Sequence, residues 1–171
     1  MKDTNTYNTL KYSLIASPLA FAGIPIYLHA PDYYVTNIGI KIEIIGFTLL
    51  LLRLVDAILD PLIGSLSDEF YKYRDKIIYL GSFLLILGFW MIFHPPNINI
   101  ILWFSLSVFL CTLGFSIIAI NIQAFGGLWD IPAPQVTKII VTREAVGIFG
   151  LLVASIVPTL LYLTYKDNNF H

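Results

Sequence analysis

Long apolar stretches separated by short polar breaks dominate the pattern of this 171-residue chain. Five stretches reach the roughly 17 to 25 residues that an α-helix needs to cross a hydrocarbon core. They run approximately from Tyr12 to Ala30, Ile42 to Leu66, Ile77 to Phe93, Ile98 to Phe125 and Ile139 to Tyr165. Proline-rich turns and one charged run separate them,. The pattern predicts an all-α membrane protein, a single domain over residues 1–171 with five transmembrane helices.

Composition narrows the functional classes. Hydrophobic residues make up 57% of the chain and charged residues only 12%, about half the charged share of a soluble domain,. The lipid bilayer is therefore an expected partner. The formal net charge is −1, and there is no basic patch interleaved with aromatic residues. Nucleic acid is thus excluded as an expected partner.

Lysine and arginine are distributed unevenly over the predicted loops. The N-terminal tail and the second and fourth loops carry seven of them, counting Arg143 near the start of the last helix. The first and third loops and the C-terminal tail carry two. Because positive charge is retained on the cytoplasmic side, this asymmetry predicts a cytoplasmic N-terminus and, after five crossings, an outside C-terminus.

Three charges interrupt the second apolar stretch, at Arg53, Asp56 and Asp60. A charge at the bilayer centre costs about 2.5 to 3.5 kcal/mol on insertion scales, so such residues face protein or water. At 100° per residue the three share a stripe with Gly46, Leu49, Gly64 and Ser67,. The opposite side carries Phe47, Leu51, Val55, Ile58, Leu62 and Leu66. The helix is therefore predicted to turn its charges inward and its hydrocarbon side chains toward lipid.

Asp56 and Asp60 stand one helical turn apart, so two ionised carboxylates there would repel each other strongly at low dielectric,. A cation, a proton or Arg53 has to lie between them. Pro61 lacks an N–H and frees the carbonyl of Ala57, which adds an oxygen beside the pair. This favours a site for a coupling ion, Na⁺ or H⁺, over an internal salt bridge with Arg53 that only holds helices together.

Two further polar residues have open roles. Asn121 either lines a cavity or forms an interhelical hydrogen bond, and Arg143 either snorkels to the cytoplasmic interface or reaches inward. The three histidines are too scattered for a metal site, and no nucleophile stands at a usable spacing from a base,. We therefore expect neither an enzyme nor a cofactor.

The motif R-x-x-D-A-x-x-D-P-x-x-G-x-x-S-D, from Arg53 to Asp68, resembles the glycoside-pentoside-hexuronide:cation symporters. This branch of the major facilitator superfamily includes the melibiose carrier. The first predicted loop, with Pro31, Tyr33, Tyr34 and Gly39, is also similar to that family. So are the stretch from Asn121 to Gly126 and the sequence T-R-E-A-V-G-I-F-G-L-L from Thr142 to Leu152.

The resemblance implies the N-terminal bundle of a twelve-helix transporter in the inner membrane of a bacterium. Its implied function is symport of a sugar, glycoside or related small solute with Na⁺ or H⁺. Asp56 and Asp60 correspond to cation-binding residues. The implied polar centre contains Arg53, Asn121 and Arg143, and the implied gating loop contains Gly64, Asp68, Arg74 and Lys76.

Five predicted helices are fewer than the twelve of that family. We therefore expect a truncated or split transporter, with a second chain as a possible source of the remaining helices. The alternative is a membrane protein that transports nothing and whose charges only stabilise helix packing. Both alternatives are compatible with the residue pattern.

Overall fold

The computed structural model describes residues 13–14, 16–96, 99–127 and 133–168, and every regular element in them is helical. The prediction of an all-α fold is confirmed. The α-helices are α1 (Ala16–Ile24), α2 (Ala30–Thr36), α3 (Ile42–Glu69), α4 (Arg74–Ile92), α5 (Ile100–Gly127) and α6 (Ala133–Asn168). A π-helical turn (Pro25–His29) joins α1 to α2, and a 3₁₀ turn (Tyr71–Tyr73) precedes α4. Tyr12 and Ile98, two of the predicted helix starts, lie outside the described residues.

The first helical run does not end at Ala30 as expected. It passes through the π-helical turn and continues as α2 to Thr36. Pro31 is compatible with this because it lies in the first turn of α2, where a backbone N–H has no helical acceptor,. The predicted break at Pro31 is therefore a change of helix type rather than a loop.

The last helix also begins earlier than expected. Helix α6 starts at Ala133, six residues before Ile139, and Pro134 lies in its first turn,. Lys138, the lysine that the sequence places in the predicted fourth loop, is thus helical. The second loop is shortened from both sides, since α3 ends at Glu69 and α4 begins at Arg74.

The chain separates into two compact units. One unit comprises residues 1–27 and 130–171 and contains α1 and α6. There, Gly150 of α6 lies directly against the backbone of Ser17 in α1, so its missing side chain permits the close approach,. The other unit, residues 28–129, contains α2 to α5.

Within the α2–α5 unit, α4 and α5 run antiparallel at close range. A Cβ on Gly88 would lie 2.7 Å from the backbone nitrogen of Cys111 and 2.8 Å from the carbonyl oxygen of Ser107. At the end of α4, the hydroxyl of Tyr34 donates to the carbonyl of Ile92 at 3.0 Å. The position of α5 relative to α4 is thus defined by backbone contact.

Three helical stretches among the described residues are long and apolar enough to span a membrane, namely Tyr71–Ile92, Ile100–Ala124 and Gln135–Val157. Helix α3 has the length but carries Arg53, Asp56 and Asp60 near its middle. The prediction of five crossings therefore goes beyond the three that length and composition support.

The contact at Gly88 leads to a stability prediction. Gly88→Ala should lower the free energy of unfolding by about 1 to 3 kcal/mol, because the new Cβ forces two backbones apart. Gly46→Ala is the matched control, since no atom lies within 4 Å of its Cβ position and alanine favours a helix,. Thermal unfolding in detergent should show a lower Tm for Gly88→Ala only. An unchanged Tm would contradict the close packing of α4 on α5.

Candidate functional site

The polar side of α3 is its buried side. Asp56 is only 6% exposed and Asp60 is partly buried, whereas Ile58 is 67% exposed and Leu62 is 53% exposed. The structure therefore places the two aspartates on the face expected from helical periodicity. Arg53 differs, because its side chain is exposed although it belongs to the same predicted stripe.

Asp56 is held by a residue of α5. The hydroxyl of Thr112 lies 3.0 Å from Oδ1 of Asp56, and Thr112 itself is 2% exposed. A hydroxyl that donates to an ionised carboxylate forms a stronger bond than one between neutral groups. Oδ1 of Asp56 is therefore occupied by the bond to Thr112, and the other carboxylate oxygen, Oδ2, takes no part in this bond.

Asp60 lies one turn further along α3. Its Oδ1 is buried, and it has no hydrogen-bond partner among the described residues. The next residue, Pro61, lies inside the helix and deprives the carbonyl of Ala57 of its helical donor,. An uncompensated buried carboxylate oxygen is costly, so this position suits a cation or a proton.

A second bond between α3 and α5 lies beyond Asp60. The hydroxyl of Ser67 donates to Oδ1 of Asn121, and both residues are buried. The side-chain nitrogen of Asn121 donates to the carbonyl of Ile117 at 2.9 Å. Of the two roles left open for Asn121, the structure shows the interhelical hydrogen bond, and it uses both ends of the amide within the bundle. Since Thr112 meets Asp56 and Asn121 meets Ser67 in the same order along the chain, α3 and α5 run parallel.

Arg143 belongs to the unit formed by α1 and α6. Its guanidinium group forms an ion pair with Glu144 at 2.6 Å, and its side chain is 19% exposed. Gly147 and Gly150, one and two turns further along the same helix, approach α1 at Ala20 and Ser17 respectively. The structure therefore gives Arg143 a mostly buried position on the helix face that carries small residues.

The predicted gating residues lie in the helices on either side of the turn between α3 and α4 rather than in a loop, with Gly64 and Asp68 in α3 and Arg74 and Lys76 in α4. Asp68 pairs with Arg74 at 2.7 Å, and the side chain of Arg74 is only 6% exposed while that of Asp68 is 75% exposed. The ammonium group of Lys76 lies 5.3 Å from the ring centroid of Tyr73. At Gly64 no atom lies within 4 Å of the Cβ position. The ion pair ties the end of α3 to the start of α4.

Comparison with known proteins identifies the family of this chain. The sequence profile described as MFS/sugar transport protein matches residues 12–169, nearly the whole chain. The chain belongs to this family. No curated protein and no solved structure matches the chain significantly.

The family is one of transporters, to which this MFS protein thus belongs. Together with the long apolar helices, family membership identifies an integral membrane protein. The superfamily expected from the Arg53–Asp68 motif is thus confirmed, at the level of MFS/sugar transport.

Two residues of the site in this MFS protein were not predicted from the sequence. Thr112 and Ser67 provide the hydroxyl groups that join α3 to α5. Ser67 does lie on the polar stripe of α3, which could have indicated its role. Thr112 stands nine residues from Asn121, a spacing that puts the two on different faces of a regular helix, so periodicity alone gave no reason to select it.

Proposed function

We propose that this chain is part of a cation-coupled symporter for a sugar or related small solute, in the glycoside-pentoside-hexuronide:cation branch. Asp56 and Asp60 bind the coupling ion, Na⁺ or H⁺. The observation that carries the proposal is the buried Oδ1 of Asp60, which lacks a hydrogen-bond partner among the described residues one turn from Asp56. Intramembrane carboxylates in this setting mark ion pathways.

A purely structural role accounts less well for Asp60. Asp56 could serve packing alone, since Thr112 satisfies one of its oxygens. Within the described part of the chain Asp60 gains no comparable bond from α5, and isolated buried charge weakens a fold rather than supporting it,. A bound Na⁺ would offset one of the two negative charges, reduce the repulsion between the carboxylates, and could also take the carbonyl oxygen of Ala57 as a ligand.

Alternating access requires two helical bundles that move against each other around a central site. We propose that the helices described here act with further helices, supplied by the same polypeptide or by a second chain. Arg53 and Asn121 would contribute to the polar centre, and the Asp68–Arg74 pair would restrict movement of the turn between α3 and α4, which Gly64 and Lys76 flank.

The test is uptake of radiolabelled glycosides, pentosides and hexuronides into cells without their own carriers. The chain is expressed by itself and fused to the C-terminal half of a homologous transporter. We expect uptake by the fusion, stimulated by Na⁺ or by an inward proton gradient, and none by the unfused chain. Uptake that depends neither on Na⁺ nor on a proton gradient would refute cation coupling.

The proposed orientation gives a separate prediction. With Cys111 replaced by serine, a new cysteine at Thr4 should be protected from an impermeant thiol reagent in intact cells, and one at Asn168 should react. Thr4 lies outside the described residues, and Asn168 ends α6. The reverse labelling pattern would overturn the orientation. Equal labelling at both sites would contradict an odd number of crossings.

A further inference from the structure

We propose that the turn between α3 and α4, together with the exposed face of α4, forms a binding surface for an anionic phospholipid. Lys72 and Lys76 bind the phosphate of the headgroup, and apolar side chains of α4 contact the acyl chains. This surface is independent of the transport function and of cation coupling.

Exposed tyrosines and lysines alternate along this turn. Tyr71, Lys72, Tyr73 and Lys76 are all exposed. The ammonium group of Lys72 lies 5.9 Å from the ring centroid of Tyr71, and that of Lys76 lies 5.3 Å from the ring centroid of Tyr73. Both distances are within the roughly 6 Å over which a ring attracts a cation. Each ammonium group is therefore oriented by a ring, whose face attracts the charge without occupying all three N–H donors.

One of the acidic residues around the turn already has a different partner. Asp68 forms its ion pair with Arg74 at 2.7 Å. Glu69 and Asp75 are exposed, but within the described part of the chain neither lysine forms an ion pair with a carboxylate. Residues 68–76 contain three acidic and three basic residues, so this segment has no general excess of positive charge. Selectivity for an anion must therefore come from the places where the two ammonium groups are held.

Beyond Lys76, helix α4 presents an apolar stripe. Tyr79, Phe83 and Ile86 are exposed, and at 100° per residue they stand on the same side of the helix as Lys76,. Gly88, which packs on α5, stands on the opposite side. From Lys76 to Ile86 the helix rises about 15 Å, which is half of the roughly 30 Å hydrocarbon core of a bilayer. The stripe thus has the dimensions of one phospholipid, with positive charge at one end and one leaflet of hydrocarbon contact along it.

The position of this surface favours a lipid over a soluble anion. The apolar span that reaches Ile92 begins at Tyr71, so both lysines lie where the helix leaves the membrane. Tyrosine and lysine are typical of that level, where the headgroup phosphates are concentrated. A zwitterionic headgroup carries its own cation beside the phosphate, so it gains less from two lysines than an anionic headgroup does.

The experiment measures binding of two phospholipids to the purified full chain in detergent, by native mass spectrometry. Dioleoylphosphatidylglycerol is anionic, and dioleoylphosphatidylcholine has the same acyl chains with a zwitterionic headgroup. The wild-type chain should bind the anionic lipid more tightly. In Lys76→Gln the ratio of the two dissociation constants should fall about fivefold, the contribution of one lysine near a charged membrane surface. Adding Lys72→Gln should lower the ratio further, by a similar factor.

The ring beside Lys76 gives a second variant. Tyr73→Leu keeps an apolar side chain but removes the ring that orients the ammonium group, so the ratio should fall about twofold to fivefold. Tyr73→Phe keeps the ring and should keep the ratio. Since Tyr73 is exposed, neither change should affect folding, and far-UV circular dichroism checks that each variant retains its helices.

Lys41→Gln is the matched control. Lys41 is an exposed lysine that precedes the first residue of α3, at the end of that helix remote from the turn. Its loss makes the same change in net charge and should leave the ratio unchanged. Soluble glycerol 3-phosphate in excess should not displace the lipid, because it has no acyl chain to contact α4.

An unchanged ratio in the folded chain with both Lys72→Gln and Lys76→Gln would overturn the assignment, as would a wild-type chain without preference. An equal fall in Lys41→Gln would show that net charge attracts the lipid and would also overturn it. Displacement by glycerol 3-phosphate would replace the lipid with a small soluble anion. None of these outcomes affects the uptake experiment, so the proposed function stands or fails separately.

Discussion

Asp60→Asn should abolish cation-stimulated solute uptake by the fused transporter. Asparagine keeps the size of the side chain and one oxygen but removes the negative charge that attracts the cation. Oδ1 of Asp60 is buried with no hydrogen-bond partner among the described residues, so we expect no other bond to hold the amide in its place. The expected loss of cation affinity is about 3 kcal/mol, or roughly a hundredfold.

Asp75→Asn is the control for this substitution. It makes the same chemical change on an exposed carboxylate in the first turn of α4, where solvent already satisfies the group. Uptake as a function of Na⁺ concentration should be unchanged in Asp75→Asn. Full coupling in Asp60→Asn, with normal protein levels, would exclude Asp60 from the ion site.

Ile58→Asp should prevent stable insertion of the chain. Ile58 is 67% exposed on the side of α3 opposite Asp56, so an aspartate there would enter hydrocarbon. The cost is about 2.5 to 3.5 kcal/mol on insertion scales, a large share of the stability of a small helical bundle. The amount of membrane-integrated protein, measured after carbonate extraction, should fall severalfold.

Asn99→Asp is the control, because it introduces the same residue type, aspartate, at a position where we expect no effect on insertion. The side-chain oxygen of Asn99 lies 3.4 Å from the backbone nitrogen of Leu102 at the start of α5, a position that also suits aspartate,. Asn99→Asp should therefore accumulate normally. Equal accumulation of Ile58→Asp would mean that the exposed side of α3 is not the side that faces lipid.

The all-α architecture and the inward face of α3 followed from the sequence alone. Both depend on local properties, namely the length of apolar runs and the cost of placing Asp56 and Asp60 in hydrocarbon. The helix ends were less accurate at Pro31 and Pro134. Proline is found both just after a helix ends and in the first turn of a helix. Its presence therefore indicates a helix boundary nearby but not whether a helix ends or begins there.

The tertiary structure decided which residues complete the site. Pairing of Asp56 with Thr112 and of Ser67 with Asn121 depends on how far α3 and α5 are shifted along each other. Helical periodicity within one segment contains no information about that shift. It is set by packing between helices, including the approach of α4 to α5 at Gly88. The sequence thus determined the carboxylates and the side of the helix they occupy, while only the packed structure decided which hydroxyl groups hold them.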